Sequence, residues 1–488
     1  MTITVERTGH PIPSPRVATI ALARAEARRV WRSPFLWTGL VLSIVSGLAW
    51  SWTRLPTWET FHENSGMAAV VLATALLITA QMAVARDHRA QAVETVRTMP
   101  TGRGRRSLGQ LAVVPIAALA GLVLYAAILL LLLPTWPVGR FEPWAAVVVV
   151  VIPPIGAAIG LVAGRLLPAA VTGPLAVVAI FLALSVPFVF VSSSDLSFWP
   201  VTFVEWDFGY RYPHGWHLLY LAGLLVSVVA LASWPAARRA SAVIAVVSVM
   251  FAGYAVRHEA AITPDFVDTE AALQRTAPEM LDCRVHAEVR YCALPGHAPW
   301  IEYWRDAVEP VASLLPPGAR RPSIRQIATM DDMKPMTPGY PEMIISDSWG
   351  RIGGWAEDSR RRMARDYVST SIGILTREPT AWLPCDASGQ HRTVVGLWML
   401  SRAAPGEGWT LPRTRYGQAE IQAAESLLAM PQDQVASYLA EHWSEVLDPS
   451  STALAGLGVT LAPPPIPTEP PASPADGTMA PDDRGVCT

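Results

Sequence analysis

Lysine is almost missing from this chain. Lys334 is the only one among 488 residues, so nearly all positive charge is arginine, a bias that reads as GC-rich coding rather than function. A Walker A loop needs Gly-Lys-Ser/Thr after a glycine-rich turn, because the ammonium contacts the β- and γ-phosphates. Lys334 sits in Asp332-Met333-Lys334-Pro335, so the sequence carries no P-loop ATPase of its own. Charge of either sign is scarce as well, at 16% of residues against about 25% in soluble domains. The net charge of −2 argues against a nucleic-acid partner.

Catalytic signatures are also lacking. A helical metallopeptidase site needs His-Glu-x-x-His; His258-Glu259 is followed by Ala-Ala-Ile, and His442 has Glu441 and Glu445 beside it but no second histidine. Ser346-Asp347-Ser348-Trp349-Gly350 lacks the Gly-x-Ser-x-Gly setting of a nucleophile elbow. Asp282-Cys283 with His286 or His297 reads as a disulfide with surface histidines rather than a thiol site. No catalytic, metal or cofactor residue is assigned, and the chain is not expected to be an enzyme.

Long apolar runs fill the first half. Seven stretches are candidates to cross a ~30 Å hydrocarbon core, which takes roughly 20 apolar residues: 35–53, 66–85, 109–133, 144–164, 169–191, 217–234 and the short 241–256. None has an acidic or basic residue near its middle. A buried ionisable group is the usual mark of a proton or ion relay, so a proton-coupled carrier loses ground. Arginines gather in alternate connecting segments, all on one side: Arg16, Arg24, Arg28, Arg29 and Arg32 before the first run, six in Arg86–Gln110, Arg165, and Arg238–Arg239. By the positive-inside rule that side is the cytoplasm, and seven spans then put everything after 256 outside. The N-terminus shows no clear cleavage site, so the first span is read as an anchor.

Three elements between the runs have shape. Residues 17–32 place Val17, Ile20, Ala23, Ala27, Val30 and Trp31 on one helical arc, with Arg24, Arg28, Arg29 and Arg32 beside it. This suits a helix lying in the cytoplasmic interface, or a solvated basic lead-in that only orients the chain. The loop 192–216 is rich in aromatics, from Phe198 and Trp199 to Tyr212 and Trp216, and reads as an interfacial belt or short re-entrant helices. The segment Arg86–Gln110 sets Val93, Val96 and Met99 at near-helical spacing among its arginines and stops at Pro100.

The order of these elements resembles the transmembrane subunits of ABC-2 type transporters. It has an interfacial helix entering the first span (EARRVWRSPFLW, 26–37) and a basic loop after the second (VETVRTMPTGRGRRSLGQL, 93–111), over roughly residues 15–235. The resemblance implies a permease subunit of an exporter, a membrane-embedded pair of permease subunits, identical or not, and a separate ATP-binding subunit. Residues 90–99 would then be the coupling helix of the cytoplasmic loop 86–108, with Val93, Val96, Met99 and Arg97 docking onto the ATPase; read by charge alone, the same loop only sets topology. A seventh span and a large outside domain depart from the simple family pattern. The alternative is a membrane-anchored sensor or interaction protein with an extracytoplasmic binding domain.

The expected fold is thus a polytopic α-helical membrane protein, a six-helix ABC-2-like core plus a seventh span in the cell membrane, followed by a mixed α/β extracytoplasmic domain over 257–461. In that domain, 300–315 reads as an amphipathic helix through Ile301, Trp304, Val308, Val311 and Leu315, and 417–429 and 432–447 as two more helices split by Pro431. Runs at 284–291, 342–346, 368–375 and 393–400 read as strands. Arg360-Arg361-Arg362 reads as a solvated helix face able to meet anionic headgroups. Four cysteines allow three full pairings. Cys283–Cys292 through a turn is favoured, because Cys487 falls in a Pro-rich stretch, 462–488, too poor in apolar residues to order itself.

Overall fold

The computed structural model describes residues 14–91, 103–190, 198–202, 213–262, 281–326, 341–345, 348–375, 384–406, 408–463 and 485–487. The chain forms two compact units. One holds 1–52, 56–205 and 210–269; the other holds 53–55, 206–209 and 270–488.

The first unit is helical among its described residues: α1 (Pro15–Trp31), α2 (Pro34–Ser51), α3 (Trp58–Arg89), α4 (Arg103–Gln110), α5 (Val113–Leu132), α6 (Pro143–Leu166), α7 (Thr172–Phe190), α8 (His214–Ser233) and α9 (Arg238–Ile262). Among the described residues, six segments are long and apolar enough to cross a membrane: α2, α3, 104–135 (α4 with α5), α6, α8 and α9. Large apolar side chains stand exposed along them, among them Val45 on α2, Leu130 on α5 and Met250 on α9. Trp37, Trp50, Trp52, Trp136, Trp144 and Trp234 stand exposed near their ends, as interfacial tryptophans do.

Helix ends differ from the hydropathy reading in an informative way. The short run 241–256 belongs to the 25-residue α9, which continues through the polar Arg257-His258-Glu259. Helix α3 starts at Trp58, eight residues before its apolar run. Thr57 caps it: its hydroxyl accepts from Thr60 N at 3.1 Å, and Thr60 Oγ1 accepts from Thr57 N at 3.1 Å. A backbone ladder is indifferent to side-chain polarity, so caps end helices where hydropathy windows do not.

Helices α3 and α6 pack at backbone distance. Gly156, Gly160 and Gly164 face Ala73, Leu77 and Gln81, each step four residues along both helices. The register rises in both together, so the two helices run parallel, as they must if α5 between them crosses once. Helices α8 and α9 form an antiparallel hairpin: Ser227 Oγ donates to Ala245 O at 3.3 Å, and Ser233 and Ser241 hydroxyls lie 3.0 Å apart.

The second unit carries a four-stranded sheet, β1 (Asp282–His286), β2 (Val289–Ala293), β3 (Ser323–Gln326) and β4 (Glu342–Ile345), in that order. The first pair is antiparallel and the others parallel. Helix α10 (Ile301–Ala312) connects β2 to β3 and buries Ile301, Trp304, Val308 and Val311, with Leu315 buried just beyond it. Ala287 and Glu288, both at positive φ, turn the β1–β2 hairpin and set Cys283 opposite Cys292. These two are disulfide-bonded, with Cα atoms 4.0 Å apart.

Two expected strands are helical instead. Residues 368–371 end α11 (Gly353–Ser371), and 393–400 lie inside α12 (His391–Ala403). Every residue from His391 to Leu400 is buried, and a short run apolar on all sides has no periodicity to separate helix from strand. Helices α13 (Gln418–Ala429) and α14 (Gln432–Val446) meet at Pro431, as expected.

The chain end corrects the expectation of an unstructured tail reaching residue 488. Cys487 is buried and disulfide-bonded to Cys385, with Cα atoms 5.1 Å apart. Asp386 N donates to Gly485 O and Cys487 N to Asp386 O, beside the short pairing of β5 (Cys385–Asp386) with β6 (Thr414–Arg415). Gln390 Nε2 and Arg392 Nη2 both donate to Cys487 O at 2.8 Å. Composition alone argued against order there, but a crosslink spanning 102 residues is worth about 4.7 kcal/mol of loop entropy. Residues 464–484 of the expected tail lie outside the described residues.

Candidate functional site

Val93, Val96, Arg97 and Met99 lie outside the described residues, but both ends of their loop are described. Helix α3 stops at Arg89; Ala90 and Gln91 form a turn, Gln91 in the left-handed region at φ 53°. Residues 90 and 91 therefore end α3 rather than open a further helix. The last part of the loop is helical, with α4 opening at Arg103.

Each end of the loop is tied into the helical unit. Glu26 of α1, 7% exposed, meets Arg86 of α3 at 3.0 Å and Arg29 of its own helix at 3.2 Å. On α4, Ser107 Oγ donates to Ala232 O of α8 at 2.9 Å. Arg165, in the last turn of α6, donates to Gln110 Oε1 at 3.0 Å and Ser107 O at 3.3 Å. A Cβ at Gly109 would meet Leu22 Cβ of α1 at 3.0 Å, and one at Gly104 would meet Ala236 Cα at 2.8 Å. At eight residues α4 is too short to stand on its own ladder, and these neighbours hold it. The sequence signals here are small residues at 104 and 109 and the lone Arg165, which hydropathy does not weigh.

The expected interfacial arginines Arg24 and Arg28 of α1, and Arg32 just past its end, are exposed. Of the expected apolar arc, Val30 is buried and Val17, Ile20 and Trp31 are exposed. Trp37 Nε1 donates to Trp31 O at 2.7 Å across the turn into α2.

At the opposite ends of these helices the structure brings together groups that the hydropathy windows passed over. His217 Nδ1 of α8 and Glu259 Oε1 of α9 lie 3.1 Å apart, both essentially unexposed. His62 Nε2 of α3 and the Tyr125 hydroxyl of α5 lie 3.1 Å apart, within a nest of Trp58, Phe61 and Phe141. The apolar runs do lack acidic and basic residues at their middles, yet the helices that contain them carry such residues near their ends: Glu259 and His62 lie in polar turns outside those runs, and His217 opens its own.

The second unit holds its own buried polar groups. Arg325 Nε donates to Glu342 Oε1 at 3.1 Å between adjacent strands. Burial raises the Asp366 carboxyl to about 6, against the pull of Arg413, Arg365 and Arg362. Burial also lowers His297 to about 4 and Arg392 to about 10. Among the described residues no group of three or more His, Cys, Asp or Glu is placed to hold a metal ion.

No family model matches this chain, and no curated protein is significantly similar to it in sequence. Fold and site together define a polytopic helical membrane protein bearing a small mixed α/β region.

Proposed function

We propose that the chain is the permease subunit of an ABC-2 type exporter, driven by a separate ATP-binding subunit that docks on the loop 86–108. The observation that carries this reading is the clamping of that loop at both ends. Arg86 ties its start to α1 through Glu26, and Ser107, Gly109 and Gln110 tie its end to α8, α1 and α6. A displacement imposed on the loop therefore reaches α1, α3, α6 and α8 together, through hydrogen bonds and backbone contact. A loop serving only topology needs arginines, not this bracing.

In this reading α7 also crosses the bilayer, making seven spans. The N-terminus and the loop 86–108 are cytoplasmic and the C-terminal domain is extracytoplasmic, in the cell membrane. Two disulfides in that domain fit an oxidising compartment. The permease works as a pair, with itself or a sister chain.

The test is co-purification of the intact protein with ATP-binding subunits encoded beside it, before and after Val93→Asp and Val96→Asp. Association is expected for the native chain and a loss of at least tenfold for either variant. Failure of any ATP-binding chain to associate with the native protein would remove the proposal.

A further inference from the structure

The C-terminal unit contains one short segment from the opposite end of the chain. Residues 53–55 belong to it, and they pair with 349–351: Leu55 N donates to Trp349 O at 2.7 Å, Arg351 N donates to Thr53 O at 3.1 Å, and Arg54 bridges Gly350 in antiparallel register. Thr53 is two residues past Ser51, the last residue of α2, which is long and apolar enough to cross a membrane. At no more than ~3.5 Å per residue, Thr53 stands within ~7 Å of that helix end, a distance comparable to the headgroup layer on one side of a bilayer.

The chain after Arg351 folds back on this pairing. Gly350 is in backbone contact with Trp355, so close that a Cβ at 350 would fall 1.9 Å from Trp355 O. Gly350 N donates to Ser359 Oγ at 2.8 Å, tying it to the second turn of α11. Arg54, Gly350 and the backbone of Trp355 are thus stacked in contact. From that position Ile352 and Trp355 project into solvent, 43% and 57% exposed. Two large apolar side chains, carried by the segment that pairs with 53–55, match the chemistry of the headgroup–acyl boundary, where tryptophan is favoured.

We propose that Ile352 and Trp355 form an interfacial anchor, inserting into the leaflet that α2 reaches at Ser51. The partner is the lipid surface, engaged through apolar area and not charge. The charged residues that follow neutralise one another, with Arg360 on Glu357 at 2.6 Å and Arg362 on Asp358 at 2.8 Å. The contact therefore needs no anionic lipid. This inference rests on α2 crossing the membrane and is independent of transport.

All four native cysteines are disulfide-bonded, so an introduced thiol is labelled selectively. The full-length protein carrying Trp355→Cys, or Ile352→Cys in a second variant, is spin-labelled and placed in phosphatidylcholine nanodiscs, with Arg361→Cys as the solvated reference. The expected result is a collision ratio of oxygen to water-soluble nickel chelate several-fold higher at 355 and 352 than at 361, unchanged when a third of the lipid is anionic. Equal nickel access at 355, 352 and 361 would overturn the proposal. So would shielding of 355 and 352 from both reagents, which would mean that protein covers them, or a ratio that rises only with anionic lipid.

Discussion

Gly160→Ala is the most incisive substitution in the helical unit. A methyl group there would lie 2.2 Å from Leu77 O and 2.9 Å from the carbonyl carbon and Cα of the same residue. All three are backbone atoms of a helix and cannot rotate away. Ordinary contact begins near 3.4 Å, so α3 and α6 must separate by roughly 1.2 Å at this point, a gap of the size that forfeits a quarter to a half of each dispersion contact. Lipid tails are as apolar as the side chains, so between membrane helices packing supplies most of the attraction. The expected cost is about 1–3 kcal/mol, a fall in melting temperature of roughly 2–4 °C per kcal/mol for a unit of this size. Gly253→Ala is the matched control: it lies inside α9 with nothing within 4 Å of the added carbon. There the alanine is neutral or stabilises by about 0.5–1 kcal/mol. The assay is thermal denaturation in detergent followed by size-exclusion fluorescence. A Gly160→Ala protein that melts with the wild type, or a Gly253→Ala protein that falls as far, refutes the reasoning.

Two further outcomes follow from the buried polar groups. Glu259→Ala leaves His217 without its carboxylate at the α8–α9 mouth and costs about 2–5 kcal/mol, whereas the double replacement His217→Leu/Glu259→Leu recovers most of it; a double-mutant cycle with no coupling would show the pair to be incidental. In the second unit, the Asp366 carboxyl is raised from its ordinary 3.8 to about 6 by burial, so folding favours its protonated form. The ionised form weakens the fold above pH 6, and that penalty disappears as pH falls below about 4. Asp366→Asn is therefore expected to melt higher than the wild type at pH 7.5, with the difference shrinking through pH 6 and closing near pH 4. A difference that is constant with pH excludes burial as the cause.

The placement of the apolar helices was legible because their signal is summed over some 20 residues, and no local exception cancels it. Helix ends were not, because Thr57 and the polar turns at 58–65 and 257–259 obey capping and backbone geometry that hydropathy averages away. The amphipathic α10 could be read from its apolar spacing. Residues 393–400 could not, since a helix buried on every side has no polar face to set its period. At the candidate site the sequence supplied the basic loop and its apolar residues, but not the contacts that brace it. Ser107, Gly109, Arg165 and Glu26 are unremarkable singly and acquire meaning only from neighbours 55 to 125 residues away.

By itself, then, the sequence determined that this is a membrane protein with a soluble-type C-terminal region and no P-loop, since composition and a missing lysine do not depend on fold. Tertiary structure alone decided that Gly156, Gly160 and Gly164 bring α3 and α6 into backbone contact, that His217 meets Glu259, and that Cys487 returns to Cys385. Each of these joins residues far apart in the chain, and such pairings are fixed by the packing of whole elements, which no local pattern encodes.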